Sequence, residues 1–193
     1  MRIAVAGTHR NGKTTLVEAV GNVLRDFAME AEPYEQLLET GDDFIDDQDP
    51  EVFVRQLEFQ VARMSNAALG QNVIYDRSPL DFVAYVMALD ELQLGRRTAV
   101  EPVILELAAS AMSCLDLIAY VPLRPEKRPH LRTSFRRLVD AQLADLLRND
   151  SLGLMQHGAP AVIELVGSTG RRLEGLLAAV CQDREKHRHG TGS

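Results

Sequence analysis

Gly7-Thr8-His9-Arg10-Asn11-Gly12-Lys13-Thr14 follows directly on the apolar run Arg2-Ile3-Ala4-Val5-Ala6 and leads into Thr15-Leu16-Val17-Glu18-Ala19-Val20. The first run reads as a strand and the last as an amphipathic helix. The loop between them matches G-x-x-x-x-G-K-[ST] with no departure. Glycines let the backbone wrap so that successive N–H groups face phosphate oxygens. The positive end of the following helix strengthens that field. Lys13 is placed to reach β- and γ-phosphates, and the Thr14 hydroxyl to ligate Mg²⁺. The expected ligand is ATP with Mg²⁺, held by Gly7, Thr8, His9, Arg10, Asn11, Gly12, Lys13, Thr14 and Thr15. His9, in the variable part of the loop, reads as filler and not as a base.

Outward from this loop, short apolar runs alternate with longer helical patterns. Strands are expected at 2–6, 29–32, 72–76, 115–121 and 161–166, and helices at 13–27, 50–69, 79–94, 98–113, 131–148 and 170–181. That rhythm belongs to parallel βαβ units. Right-handed crossovers then give an α/β three-layer fold, a five-stranded parallel sheet with helices on both faces. One domain is expected over 1–183, with a lid segment at about 122–137 and a basic flexible tail at 184–193.

A formal net charge of -7 gives no basic footprint for a nucleic acid. No apolar run approaches the ~20 residues needed to span a bilayer. The expected partner is a small molecule, with neither nucleic acid nor membrane, and a homodimer is left open. Cys114 and Cys181 lack metal-ligand spacing and read as reduced thiols. With no leader ahead of the first strand, the expected location is the cytoplasm.

The third expected strand ends in Asp76 and continues Arg77-Ser78-Pro79. A signalling GTPase would carry Asp-x-x-Gly there and Asn-Lys-x-Asp later, and this chain has neither. Taken with the loop, Asp76-Arg77-Ser78 resembles the Asp/Glu-Arg-Ser motif of the deoxynucleoside kinase and thymidylate kinase group. Glu32-Pro33 resembles that group's Glu-Pro pair, and Phe53, Gln56 and Arg63 its Phe-x-x-Gln-x₆-Arg pattern. Val166-Gly167-Ser168 resembles the loop that wraps the adenine of ATP.

The resemblance implies a P-loop phosphotransferase acting on a nucleoside- or nucleotide-like acceptor. Its catalytic residues would be Lys13, Glu32, Asp76 and Arg77, with Glu32 as base. Thr14 and Asp76 would hold the metal, and Gly167 and Ser168 the donor. Glu32, Phe53, Gln56, Arg63, Arg77 and Asp81 would face the acceptor. Two alternatives stay open: a ribosylnicotinamide-type or other small-alcohol kinase, and a regulatory NTPase whose partner is a protein.

Arg124, Lys127, Arg128, Arg132, Arg136 and Arg137 concentrate cations in an otherwise acidic chain. Arg128, Arg132 and Arg136 recur at four-residue spacing and share one helical face. Phosphoryl transfer needs cations to close over the moving group, so this segment reads as a lid, with Arg128 and Arg132 on the donor.

Overall fold

The computed structural model describes residues 1–42, 44, 49–68, 70–94, 100–124, 131–155 and 158–190, with backbone only at 94, 131–133 and 186–190. Strands β1 (Arg2–Ala6), β2 (Ala28–Glu30), β3 (Val73–Asp76), β4 (Leu117–Tyr120) and β5 (Ala161–Glu164) form one sheet. All pairings are parallel, in the order β2-β3-β1-β4-β5. The helices are α1 (Lys13–Val23), α2 (Pro33–Glu39), α3 (Pro50–Asn66), α4 (Pro79–Leu94), α5 (Pro102–Met112), α6 (Leu131–Asn149) and α7 (Thr169–Gly190). The five-stranded parallel sheet read from the sequence is the sheet observed.

Alternation along β1 explains the layers, because successive side chains point to opposite faces. Ile3 and Val5 pack with Leu16 and Val20 of α1 and Leu176 and Val180 of α7. Ala4 and Ala6 belong to the opposite core, with Leu57 of α3, Phe82 of α4, Ile104 of α5 and Leu143 of α6. Each such large side chain contributes about 1.5–3 kcal/mol when fully buried. Helix α4 is buried all round from Leu80 to Leu89, as an apolar core helix should be. Asp81 is the one charged residue in that stretch.

Register places the chemistry. Val5 is opposite Asp76 across the β1–β3 pair, and Ala6 is opposite Tyr120 across β1–β4. The loop after β1 and the carboxylate ending β3 therefore share the carboxyl edge of the sheet, where ligands bind in open parallel folds.

Several element ends differ from the sequence reading, and α3, α5, β4 and β5 are each shorter than expected by a few residues. Strand β2 stops at Glu30, and Glu32 becomes the N-cap of α2, a helix the periodicity did not predict. Pro33 sits in the first turn, where a missing N–H costs nothing. Helix α1 ends at Val23 instead of Phe27, with Leu24 leaving helical geometry at ψ 78°. Helix α7 continues to Gly190, past the expected end at Cys181 and into the segment expected to be flexible. Arg184 holds that extension by bonding Asp26 at 2.5 Å and lying 5.5 Å over the Phe27 ring. Cys114 and Cys181 are free thiols. Among the described residues no helix is long and apolar enough to cross a membrane.

Candidate active site

The loop between β1 and α1 is held open from several sides. Gly7 adopts φ 148°, and a Cβ there would stand 2.6 Å from the Val121 carbonyl oxygen, so only glycine fits. Its N–H donates to Asp81 Oδ1 at 2.8 Å. Asn11 Nδ2 donates to the same Val121 carbonyl at 2.6 Å, and Arg172 Nη1 donates to the Asn11 carbonyl at 2.9 Å. Gly12 caps α1 at φ 79° with no side-chain hydrogen bond. The first N–H groups of α1 thus have no side-chain cap from Gly12, which suits an anion.

Lys13 is 4% exposed and donates from Nζ to the Thr8 carbonyl at 3.1 Å. Burial, aided by the Arg77 charge, lowers its pKa to about 8. Thr14 Oγ1 donates to Asp76 Oδ2 at 2.6 Å, while Asp76 Oδ1 is buried with no hydrogen-bond partner. Burial raises the Asp76 carboxyl above its ordinary value against the pull of Lys13 and the Thr14 bond. A hydroxyl and an orphaned carboxylate oxygen side by side are hard donors of the kind Mg²⁺ takes, so these residues fit that ion.

Arg77 is the hub of a buried polar cluster beside the loop. Its backbone is strained at φ 111°, a conformation that persists only when its surroundings enforce it. The enforcement is visible. Nε donates to Glu32 Oε1 at 2.5 Å, Nη1 lies 3.6 Å from Asp81 Oδ1, and Gln60 Nε2 donates to the Arg77 carbonyl at 2.6 Å. Beneath the guanidinium lies the Tyr85 ring, 5.2 Å from centroid to Cζ. Burial alone would raise the Glu32 carboxyl, but Arg77 and Lys13 outweigh it and hold the group below its usual range.

Tyr85 joins this hub to the phosphate loop. Its hydroxyl accepts from the His9 N–H at 2.8 Å and lies 2.9 Å from His9 Nδ1. Phe53 stacks on Tyr85 at 4.6 Å between centroids, and Phe135 meets it edge-on at 6.0 Å. Burial and the cations Arg136, Arg77 and Lys13 lower the His9 pKa to about 4, so the ring is neutral near pH 7. A neutral ring fixed against a tyrosine supports its reading as part of the loop.

Lys13, Thr14, Glu32, Asp76 and Arg77 therefore converge, with Phe53 walling them through Tyr85. Other expected residues lie differently. Asp81 is fully buried, and its second oxygen accepts from Ser78 N at 2.9 Å and Ser78 Oγ at 2.7 Å. Both of its oxygens are thus engaged by the protein itself, on the Gly7 loop and on Ser78. Arg63 is bound by Glu30 and Gln36 and lies over Phe59. Gln56 is buried and donates to the Val52 carbonyl of its own helix at 3.2 Å.

After β5, the Gly167 carbonyl accepts from Arg124, and the Ser168 carbonyl accepts from Arg172 N at 3.0 Å. Arg136 Nη2 donates to the Arg10 carbonyl at 3.5 Å, bringing α6 to the loop. Arg128 lies outside the described residues, as does the side chain of Arg132.

Sequence reasoning missed Tyr85 and Arg172. Tyr85 stands four residues after Asp81, which puts the two on one side of α4, so the spacing could have found it. A basic residue in the first turn of a helix opposes the dipole, and that was the available signal at Arg172.

The fold is the P-loop fold that solved nucleoside and nucleotide kinases share. No protein-family model matches the chain, and no curated protein does. Solved structures share the fold. NadR in complex with NAD and AMP-PNP superposes with a TM-score of 0.62 at 20% identity, over 92% of this chain. Only 48% of NadR is covered, so the chain spans about half of that protein's length. Deoxyadenosine kinase from M. mycoides gives 0.59 at 15% identity, over 94% of this chain and 100% of that one. Thymidylate kinase from Candida albicans gives 0.57 at 14%, over 95% and 92%. At such identities the likeness establishes the fold.

Proposed function

We propose that this protein is an ATP-dependent phosphotransferase that moves the γ-phosphate to a small nucleoside- or nucleotide-like acceptor. The observation that carries the reading is the Glu32–Arg77 pair in the same crevice as Lys13 and Thr14–Asp76. Glu32 and Lys13 lie close enough for each to shift the other's titration. A nucleotide-binding switch needs the loop and a metal site, but it has no use for a carboxylate and guanidinium facing them.

The roles follow from charge and position. Lys13 presents a cation to the donor's terminal phosphates, and the first turn of α1 offers N–H groups. Thr14 and Asp76 hold Mg²⁺, which when bound neutralises phosphate charge. Glu32 takes the proton from an acceptor hydroxyl. Arg77, fixed by Asp81 and Tyr85, keeps Glu32 in position and supplies positive charge beside the moving group. Phe53, half-buried and stacked on the buried Tyr85 ring, is the aromatic side chain that meets a flat acceptor. The NadR complexes with NAD and AMP-PNP and with NR keep a ribosylnicotinamide-like alcohol among the candidate acceptors.

The test is ADP release from Mg-ATP with a panel of nucleosides, nucleoside monophosphates and ribosylnicotinamide. Slow background hydrolysis that rises sharply with one acceptor is the expected result. Hydrolysis indifferent to every acceptor but stimulated by a protein partner would replace this reading with a regulatory NTPase.

A further inference from the structure

Arg172 stands in the first turn of α7 and is only 5% exposed. Its Nη1 donates to the Asn11 carbonyl, and its Nε is buried with no hydrogen-bond partner. Among the described residues no carboxylate pairs with it. The charge that acts on it most is of like sign, that of Arg124, which is itself bonded to the Gly167 carbonyl. The α7 N-terminus adds a positive dipole end. Two guanidinium groups and a helix N-terminus thus meet with no anion among them. A buried charge without a partner is strongly unfavourable, and proteins keep one where a ligand completes it.

The position of Arg172 on the loop decides which ligand atom it can serve. Its Nη1 lies 3.5 Å from where a Cβ on Gly12 would be. Lys13 Nζ lies at the other end, on the Thr8 carbonyl. In this type of loop the lysine serves the β- and γ-phosphates, while backbone N–H groups cradle α and β. The guanidinium at the Asn11–Gly12 end therefore lies on the α side. A brace for the Asn11 carbonyl needs one N–H, and it does not explain a second one buried and unpaired.

We propose that Arg172 binds the α-phosphate of the donor nucleotide, so that the donor is gripped from α7 as well as α1. The assignment rests on the phosphotransferase reading above. It makes the donor's recognition independent of whether a γ-phosphate is present, and so the released diphosphate is held by the same residue.

The experiment is displacement of a fluorescent ATP analogue by ATP, ADP, AMP and adenosine, in the parent protein, R172Q and R172K. A charge-assisted hydrogen bond is worth about tenfold or more in affinity. In the parent, AMP should displace the analogue at least about tenfold more tightly than adenosine does. R172Q should lose that step for all three phosphorylated ligands and leave adenosine unchanged. R172K keeps the charge without the planar fork and should lose part of the step. AMP no tighter than adenosine in the parent, or unchanged AMP affinity in R172Q, overturns the assignment. So does a loss confined to ATP and ADP, which is what a mere loop brace would give. Thermal unfolding without nucleotide checks that R172Q folds; if it does not, R172K and the parent's own AMP-to-adenosine step decide. A parent that binds no ATP sinks the phosphotransferase reading itself, a result distinct from these.

Discussion

Arg77 and Glu32, forty-five positions apart, form an ion pair at 2.5 Å in which the guanidinium is almost wholly buried and the carboxylate keeps one side open. The asymmetry has a chemical use. Arg77 has Asp81, the Gly7 carbonyl and the Tyr85 ring as further neighbours, so it is fixed. Glu32 has Arg77 behind it and solvent in front. A carboxylate aimed by a fixed cation, and otherwise accessible, is what a positioned base requires.

Glu32→Gln removes the basic oxygen and keeps the shape. Turnover should fall by about 10²–10⁴-fold, the usual worth of a positioned base, while ATP affinity stays near that of the parent. Steady-state rates with a competent acceptor, set beside nucleotide titration, make the check. Parent rates in Glu32→Gln would move the base elsewhere, with Asp76 the remaining carboxylate in the crevice.

The same pair sets a pH dependence. Glu32 sits below its ordinary 4.5 in the folded protein. Between that value and its folded pKa the unfolded chain binds more protons, so the pair's stabilisation is full above this window and is lost as pH falls through it. Denaturant unfolding of parent and Glu32→Gln should differ by a constant amount, about 1–3 kcal/mol, above roughly pH 5. The gap should close as the pH drops below that. A gap that widens in acid would contradict the sign.

Asp76 has one oxygen on Thr14 and one with no partner. Asp76→Asn preserves an acceptor for Thr14 and removes the charge. In the parent, Mg²⁺ should tighten ATP binding; in Asp76→Asn that dependence should disappear while metal-free ATP binds as before. Calorimetry with and without the metal reads the difference. Equal Mg²⁺ dependence in both proteins would remove Asp76 from the metal site.

Tyr85→Phe separates ring from hydroxyl. The ring still supports Arg77 and stacks on Phe53, but the half-buried His9 N–H loses its acceptor, a loss worth about 1 kcal/mol. The expected result is lower stability and weaker ATP binding, with the acceptor's KM little changed. Weakened acceptor binding with normal ATP binding would place the hydroxyl on the other ligand.

The parts of this site that lie together in the chain were legible in it. Gly7 to Thr14 is one contiguous loop between a strand and a helix, and Asp76-Arg77 ends a strand, so pattern alone located both. Strands β1, β3 and β4 were equally plain, since buried parallel strands read as apolar runs. Helix α2 was not, because at seven residues it is too short to show a period. For Arg63, a polar strip on one helical face did not show that the side chain bonds Glu30 and Gln36. Arg172 braces a loop 161 positions away, and nothing local in the sequence encodes that contact.

Asp81 offers the sharpest division between the sequence reading and the structure. Read as an acceptor contact, its substitution should change the acceptor's KM and spare the fold. The geometry demands the opposite. One oxygen accepts from the Gly7 N–H, and the other accepts from both the Ser78 N–H and hydroxyl. Asp81→Asn presents an NH₂ to one of these sets whichever way the amide turns. A donor then faces a donor in a site with no water-exposed surface, at about 1–3 kcal/mol for each buried bond lost. Arg77 loses half of its carboxylate partnership as well. Asp81→Asn should therefore unfold at lower denaturant and bind ATP less tightly, although Asp81 is turned onto the protein's own backbone. Any loss toward the acceptor should be secondary to the loss toward ATP. Nucleotide titration and unfolding on the same preparation decide it: parent stability with a raised acceptor KM alone would restore Asp81 to the acceptor site.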